Sequence, residues 1–523
     1  MDGSKSSPGG APGNGQDDDA AGAAPAGDSI ARNTGFALGV SLVSAVGTAV
    51  LTLFLLRALG PEDFGVFALA MSVGALVLIP SNLGISMAAS RFVAESRSDR
   101  GAVHGVVSDA LRLKLIVAGV FCGVMALLAA PIADAYDTPE LTWPIRIMAV
   151  GVLGHSILQL WDTLFEAERR VSVYLRVIAA ESAIETTASI ALVLAGLGVS
   201  GAMAGRAGAY LFAAGFGYVL LIRTLAVRPA LRSGWHGNVR RITGYGSALL
   251  IIDGAFTLFS RIDVLLIGTI ISIEAVGQFE APLRLIALLS YVGTAAASGV
   301  APRLARGDEP PDTGAFVMAL RRLMALQGLF IAPMIIWAEP LTDIALGAEY
   351  SDSAEVLRAF APYTFLLAIS PVLARGVTYL GEARLRIPIA IGALLLNLVF
   401  DLIFLPEIGI VAGAIGTGIA YTFYVLAHLW ICRRLLGIPL MPLAASFLRI
   451  SASVAVMSAA LFAFGTGDVA LPLLLVGGAL GCVVYVVALL GTRELSRSEL
   501  RAGWALVAAG CPGASGSPAA GLR

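Results

Sequence analysis

The feature that most constrains this chain is a recurrence of apolar stretches, each about 20 residues long, separated by short polar breaks. An α-helix crosses the hydrocarbon of a bilayer in about 20 residues, so each stretch is long enough to span. The pattern predicts about fourteen helices, at 34–57, 65–90, 112–133, 144–165, 174–195, 198–222, 244–270, 276–300, 316–338, 357–379, 386–405, 408–431, 445–465 and 469–490. Helix-stop clusters such as Gly60-Pro61-Glu62-Asp63 and Gly196-Leu197-Gly198 mark the breaks. Composition agrees, with 57% hydrophobic and only 14% charged residues, where a soluble domain carries about 25% charged. The fold class read from this is an all-α polytopic membrane protein. A formal net charge of −1 argues against a nucleic-acid binder. The four cysteines, Cys122, Cys432, Cys482 and Cys511, are dispersed and form no C-x-x-C pair, so no metal, redox centre or other cofactor is expected.

Arginine placement orients the helices. With the N-terminus in the cytoplasm, the even-numbered connections carry twenty arginines, among them Arg91, Arg97, Arg100, Arg240, Arg241, Arg433 and Arg434. The odd-numbered connections carry three, Arg57, Arg146 and Arg358, and are otherwise acidic. Positive loops stay inside, so both termini are expected in the cytoplasm and the protein in the cytoplasmic membrane. Residues 1–29 and the segment after 491 are rich in Gly, Ala, Pro and Ser and are read as disordered cytoplasmic tails. The N-terminal segment lacks the basic start and apolar stretch of a cleaved signal peptide.

An internal repeat divides the rest. At an offset of 212, Glu62, Gly65, Phe67, Ala89 and Arg91 meet Glu274, Gly277, Phe279, Ala301 and Arg303. At 211, Gly198, Gly205, Ala209, Tyr210, Phe212 and Arg223 meet Gly409, Gly416, Ala420, Tyr421, Phe423 and Arg434. Six helices separate the copies, so both halves run the same way, related by a pseudo-two-fold along the membrane normal with a cavity between two lobes. The domain reading is a lobe at 30–224, a cytoplasmic linker at 225–243, a lobe at 244–435 and a helix pair at 436–490.

The segment Leu55-Leu56-Arg57-Ala58-Leu59-Gly60-Pro61-Glu62-Asp63-Phe64-Gly65-Val66-Phe67, followed by Asn82-Leu83-Gly84 and Arg91-Phe92-Val93, resembles the first two helices of the polysaccharide biosynthesis protein family. These are the O-antigen and lipid-linked oligosaccharide flippases of the multidrug/oligosaccharidyl-lipid/polysaccharide exporter superfamily. Arg261-Ile262-Asp263, Glu274-Ala275-Val276-Gly277-Gln278-Phe279 and Gly409-Ile410-Val411-Ala412-Gly413-Ala414 are similar to it as well, and the resemblance covers roughly residues 30–490. It implies two pseudo-symmetric six-helix bundles with a helix pair at the end, alternating access, and a polyprenyl-pyrophosphate-linked oligosaccharide as cargo. Glycan polymerases and glycosyltransferases of the same pathway are the implied partners, with a cation, Na+ or H+, for coupling.

Polar residues inside the predicted helices are the candidate site, because an ionisable group at mid-bilayer costs several kcal/mol (roughly 2.5–3.5) and faces a cavity or a partner. His155, Gln159, Asp162 and Glu166 form one stripe on the fourth helix, which is either a cavity wall or a seam between helices. Glu181, Ser182, Glu185, Thr186 and Ser189 share a face of the fifth. Glu185 there is either part of a coupling-ion site or the partner of Arg206 on the sixth helix. In the second half, Arg261 shares a face with Asp253, Thr257 and Ser260, Arg284 is one turn from Glu280 with Tyr291 and Ser298 beyond, and Asn397 is one turn from Asp401. Arginine forks match the oxygens of a pyrophosphate, which makes Arg261, Arg284 and Arg206 the candidate head-group contacts. A structural pairing of Arg284 with Glu280 is the other reading. Glu181, Glu185, His155, Asp162, Asn397 and Asp401 are the candidate ion-coupling or cavity-lining groups.

Three function classes follow. A flippase needs a broad cavity and a lateral path for a lipid tail. An ion-coupled multidrug or small-molecule exporter of the same superfamily is the alternative, though it would more usually stop at twelve helices. A membrane glycan enzyme would need catalytic groups in a sizeable outer loop, and no P-loop, H-E-x-x-H or G-x-S-x-G occurs. The chain is therefore not expected to be an enzyme.

Overall fold

The structure, a computed structural model, describes residues 30–231, 234–287, 289, 290, 293, 312–380, 382–467 and 469–496. Among them every regular element is helical, as hydrocarbon demands of a chain that must satisfy its backbone hydrogen bonds internally. In chain order they are α1 Ile30–Asn82, α2 Ile85–Glu95, α3 Arg100–Leu127, α4 Ala129–Ala135, α5 Thr142–Ala167, α6 Val171–Leu192 and α7 Gly198–Leu225. Then come α8 Val239–Phe259, α9 Ile262–Ile270, α10 Ile273–Ala287, α11 Thr313–Ile336, α12 Ala338–Ala345, α13 Ser353–Ala359 and α14 Ala361–Leu367. The last are α15 Ser370–Tyr379, α16 Arg386–Ile408, α17 Val411–Leu436, α18 Leu440–Phe462 and α19 Leu471–Gly491. The tail over 1–29, residues 497–523, Arg232, Ser233, Tyr291, Ser298, Ala301, Arg303 and Arg306 lie outside the described residues, as does the side chain of Asp253.

Among the described residues, nine helical stretches are long and apolar enough to cross a membrane. One of them, Val46–Asn82, turns at Gly60 (φ 71°), and another, Val171–Leu225, folds back on itself at Gly196 (φ 87°) and Gly198 (φ 50°). The most apolar, α19, leaves Leu475, Val483 and Val487 largely exposed, a face that only lipid covers without penalty.

Several predicted helices are broken, the third one at Leu128 between α3 and α4. The second stops at Leu83 and Gly84, both with positive φ, and resumes as α2. The break is tied to α5, where Thr163 Oγ1 donates to the Ser86 carbonyl (3.3 Å) and Gln159 Oε1 accepts from Asn82 Nδ2 (3.1 Å). The seventh breaks at Ser260–Arg261 into α8 and α9. The tenth becomes α13, α14 and α15, with Pro362 and Pro371 in the first turns of the last two, where a missing N–H costs nothing.

The first half is held by α5, α6 and α7 packed on one another and on α1. Close approach of α6 and α7 depends on Gly205, where a Cβ would lie 2.6 Å from Ser189 Cα. The halves meet along α1 and α10. That contact is reciprocal. A Cβ on Gly277 would overlap the Pro61 carbonyl, and one on Gly65 the Ile273 carbonyl; Gly65 and Gly277 are 212 residues apart, as are Pro61 and Ile273, the offset of the repeat. At the same end Tyr350 Oη donates to the Leu56 carbonyl (2.9 Å) and Tyr136 Oη to the Leu265 carbonyl (3.4 Å).

The segment joining the halves is stitched to α3. Buried Asp109 accepts from the backbone N–H groups of His236 and Asn238 (both 3.0 Å), and Arg112 donates to the Gly234 carbonyl (2.7 Å). Past the last helix, Glu494 is 2% exposed and receives Arg321 (2.9 Å) and Arg449 (3.5 Å).

Candidate functional site

The α6–α7 hairpin sets Glu185 and Arg206 at the same depth, and they form an ion pair, with Arg206 Nε donating to Glu185 Oε1 (2.6 Å). The guanidinium also lies 5.8 Å from the centroid of the Phe67 ring on α1, within cation–π range. Glu185 thus takes the partner that one of the two sequence readings gave it.

Arg284, from the second half, joins Arg206 and Glu185 around one cavity that Thr48, Phe67 and Ser182 also line. The cavity holds about 30 Å³, room for about two waters. Arg284 Nη2 is 2.8 Å from Glu280, and Arg261 Nη1 is 3.4 Å from the same carboxylate oxygen. Glu280 is 1% exposed, while the two arginine side chains keep about a quarter of their surface. Three arginines drawn from both halves are thus held in place by Glu185 and Glu280. Removing one member of such a pair leaves a buried charge alone and costs about 3–5 kcal/mol.

A second polar cluster lies wholly in the second half. Asp263 on α9 accepts from Asn397 Nδ2 on α16 through one carboxylate oxygen and from Thr417 Oγ1 on α17 through the other. Asp401, one turn after Asn397, stands within hydrogen-bonding reach of Asp263. Asn397 and Asp401 are fully buried, and Asn397 Oδ1 and both Asp401 carboxylate oxygens accept no hydrogen bond among the described residues. Gly416 makes room, because a Cβ there would lie 2.7 Å from Asp401 Oδ1. Two carboxylates this close and this buried must share a proton or a cation to offset their repulsion. The donors are all oxygen, which suits a hard monovalent or alkaline-earth ion rather than a soft metal.

The remaining sequence candidates do not line the cavity of Arg206 and Arg284, although His155 and Glu181 lie near enough to Arg206 to feel its charge. His155 stacks on Tyr210 of α7, ring centroids 4.4 Å apart. Asp162 on α5 and Glu181 on α6 are both half-buried and near enough to repel, with Glu166 beside them. Sequence reasoning assigned no role to Asp263, which it quoted only within a motif, and missed Thr417. An acid inside the apolar run Ile262–Ile270 was the available signal for Asp263. Thr417 carried none. It also missed Lys114, which is fully buried and donates to the Ser156 carbonyl (2.7 Å).

Comparison with known proteins agrees with this architecture. The "Probable low-salt glycan biosynthesis flippase Agl15" of Haloferax volcanii is 21% identical over 381 residues, 72% of this chain and 77% of that protein. A protein of Escherichia coli (strain K12) that is named as an O-antigen transporter is 22% identical over 373 residues, 68% of this chain and 86% of that protein. Among solved structures, "Lipid II flippase MurJ, inward closed conformation" superposes with a TM-score of 0.73 at 12% identity, covering 88% of this chain and 99% of that one. The profile described as polysaccharide biosynthesis protein matches residues 54–355. A match over more than half the sequence, on the segment that carries the reciprocal glycines, Arg206 and the Arg261–Glu280–Arg284 group, places this multi-pass membrane protein in the polysaccharide biosynthesis protein family.

Proposed function

We propose that the chain is an alternating-access flippase that moves a polyprenyl-pyrophosphate-linked oligosaccharide across the cytoplasmic membrane, with both termini inside and about fourteen crossings. The observation that carries this reading is the convergence of Arg206 and Arg284, one from each half, on a single cavity where carboxylates hold them. A pyrophosphate offers oxygen pairs that arginine forks grip as they grip a carboxylate, and can displace Glu185 and Glu280 from them. The present cavity, about 30 Å³, is far too small for such a head group, so the two lobes (30–224 and 244–435) must part to admit it. Names of relatives that are flippases or transporters for glycans support the cargo class.

The cluster of Asp263, Asn397, Asp401 and Thr417 is the proposed coupling site for Na+ or H+. It is preferred to Glu185, whose carboxylate is already taken by Arg206. A bound cation would supply the positive charge that the two aspartates lack, and the four side chains would orient its oxygen ligands.

The test is accumulation of lipid-linked intermediate on the cytoplasmic face in cells of the linked glycan pathway. Arg284→Ala and Arg261→Ala should reproduce the accumulation of a deletion strain at normal protein levels. Lysine should rescue in part, because it keeps the charge but loses the fork. Normal export by both alanine variants would leave these arginines as structural partners of Glu280 only.

A further inference from the structure

We propose that the groove between the arginine-bearing ends of α16 and α17 is a binding site for an anionic phospholipid, with the phosphate on Arg434 and an acyl chain along the apolar floor. The groove encloses about 500 Å³, and Pro388 and Ile389 of α16 and Ala427 and Ile431 of α17 line it. Its floor is apolar and its mouth opens on the outer surface, where Trp430 is 58% exposed. It is therefore separate from the cavity around Arg206 and Arg284.

The mouth is basic. Arg433 and Arg434 end α17, Arg386 begins α16, and Arg384 lies in the short turn just before it. Arg433, Arg434 and Arg384 are exposed and make no ion pair among the described residues, while Arg386 donates to Thr378 Oγ1 (3.2 Å). Arg434 and Glu382 are the charged residues that line the groove itself, and Arg433, Arg384 and Arg386 at the same helix ends leave the surroundings of the mouth cationic. The helix C-terminus attracts Arg433 and Arg434 on its own account, but a dipole does not explain an open apolar groove beneath them. Arg434 lies 5.7 Å from the centroid of the Trp430 ring, and Trp and Arg together at a helix end are the residues that meet lipid head groups.

The occupant follows from the two halves of the groove. A free phosphate would use the arginines and leave the apolar floor wet. A zwitterionic lipid would fill the floor but leave the excess of cationic charge unmatched. A phospholipid of net negative charge satisfies both.

Trp430 gives a direct readout. The full chain is placed in nanodiscs of phosphatidylcholine with an equal mole fraction of either brominated-chain phosphatidylglycerol or brominated-chain phosphatidylcholine. The quenching lost in Trp430→Phe isolates the signal of that residue from the other tryptophans. Wild type should show about fivefold stronger Trp430 quenching by the brominated phosphatidylglycerol, the order expected for a direct arginine contact. Arg434→Gln should bring the two lipids to parity, and Arg434→Lys should keep most of the preference. Native mass spectrometry of detergent-extracted wild type and Arg434→Gln should count less retained phosphatidylglycerol on the variant. Equal quenching by the two lipids in wild type, or a preference that survives Arg434→Gln, overturns the proposal.

Discussion

Gly277→Ala is the sharpest test of how the two halves are held together. The new Cβ would lie 2.7 Å from the Pro61 carbonyl carbon. Ordinary contact begins at 3.4 Å and the Pro61 carbonyl oxygen lies closer still, so α1 and α10 must separate by more than the roughly 0.7 Å that the carbon alone requires. The obstacle is backbone, which cannot swing aside as a side chain can. Overpacking of this kind costs about 1–3 kcal/mol. The penalty falls only on the arrangement in which the halves touch here, so the population with this end parted should rise about 5–150-fold. Gly65→Ala should act alike, because its Cβ would lie 2.9 Å from the Ile273 carbonyl carbon. Gly119→Ala on α3, with nothing within 4 Å, is the control. Spin labels at exposed Asp134 and Asp352, near the Tyr136 and Tyr350 contacts, report the separation by pulsed dipolar spectroscopy. A longer-distance population should appear in Gly277→Ala and Gly65→Ala and not in Gly119→Ala. If all three variants keep the wild-type distribution, the reciprocal glycine contact does not hold this end closed.

Other perturbations have equally definite outcomes. Glu185→Gln or Arg206→Gln alone should lower the thermal midpoint in detergent, since each strands a buried charge at about 3–5 kcal/mol, and the double variant should recover most of the loss. Asp401→Asn should abolish the rise in thermal midpoint that added Na+ gives the wild type; an unchanged rise would move the coupling site elsewhere. Asp109→Ala removes the acceptor of the His236 and Asn238 N–H groups, and limited proteolysis should then cut the segment between α7 and α8 faster while α3 stays intact. Tyr350→Phe removes the bond to the Leu56 carbonyl, a net loss of about 1 kcal/mol, and should shift the same spin-label distances in the direction of Gly277→Ala by a smaller amount.

The helices were readable from the chain because hydrocarbon leaves little choice. A run of apolar residues as long as Leu471–Gly491 must satisfy its own N–H and C=O groups, and a helix does so locally. The end marked by Gly196 needed no tertiary information, since its positive φ is one that other residues resist. The breaks inside apolar runs were harder. Pro362 and Pro371 signalled interruption but not that each would start a new short helix. The break at Ser260–Arg261 carried no glycine or proline at all.

The candidate site was legible only as an inventory. Spacing gives which residues share a helix face, so Glu280 with Arg284 and Asn397 with Asp401 could be read as pairs one turn apart. It does not give what faces them. Asp263 meets Asn397 across 134 residues and Thr417 across 154, and Arg206 meets Arg284 only because α1 and α10 bring the halves together around one cavity. Chain order alone puts these groups on particular apolar helices. Which carboxylate holds which arginine, and which stay together without one, follows from how those helices pack. Hydrophobic periodicity is a property of neighbours along the chain, whereas the partner of a buried charge is fixed by the packing of helices far apart in it.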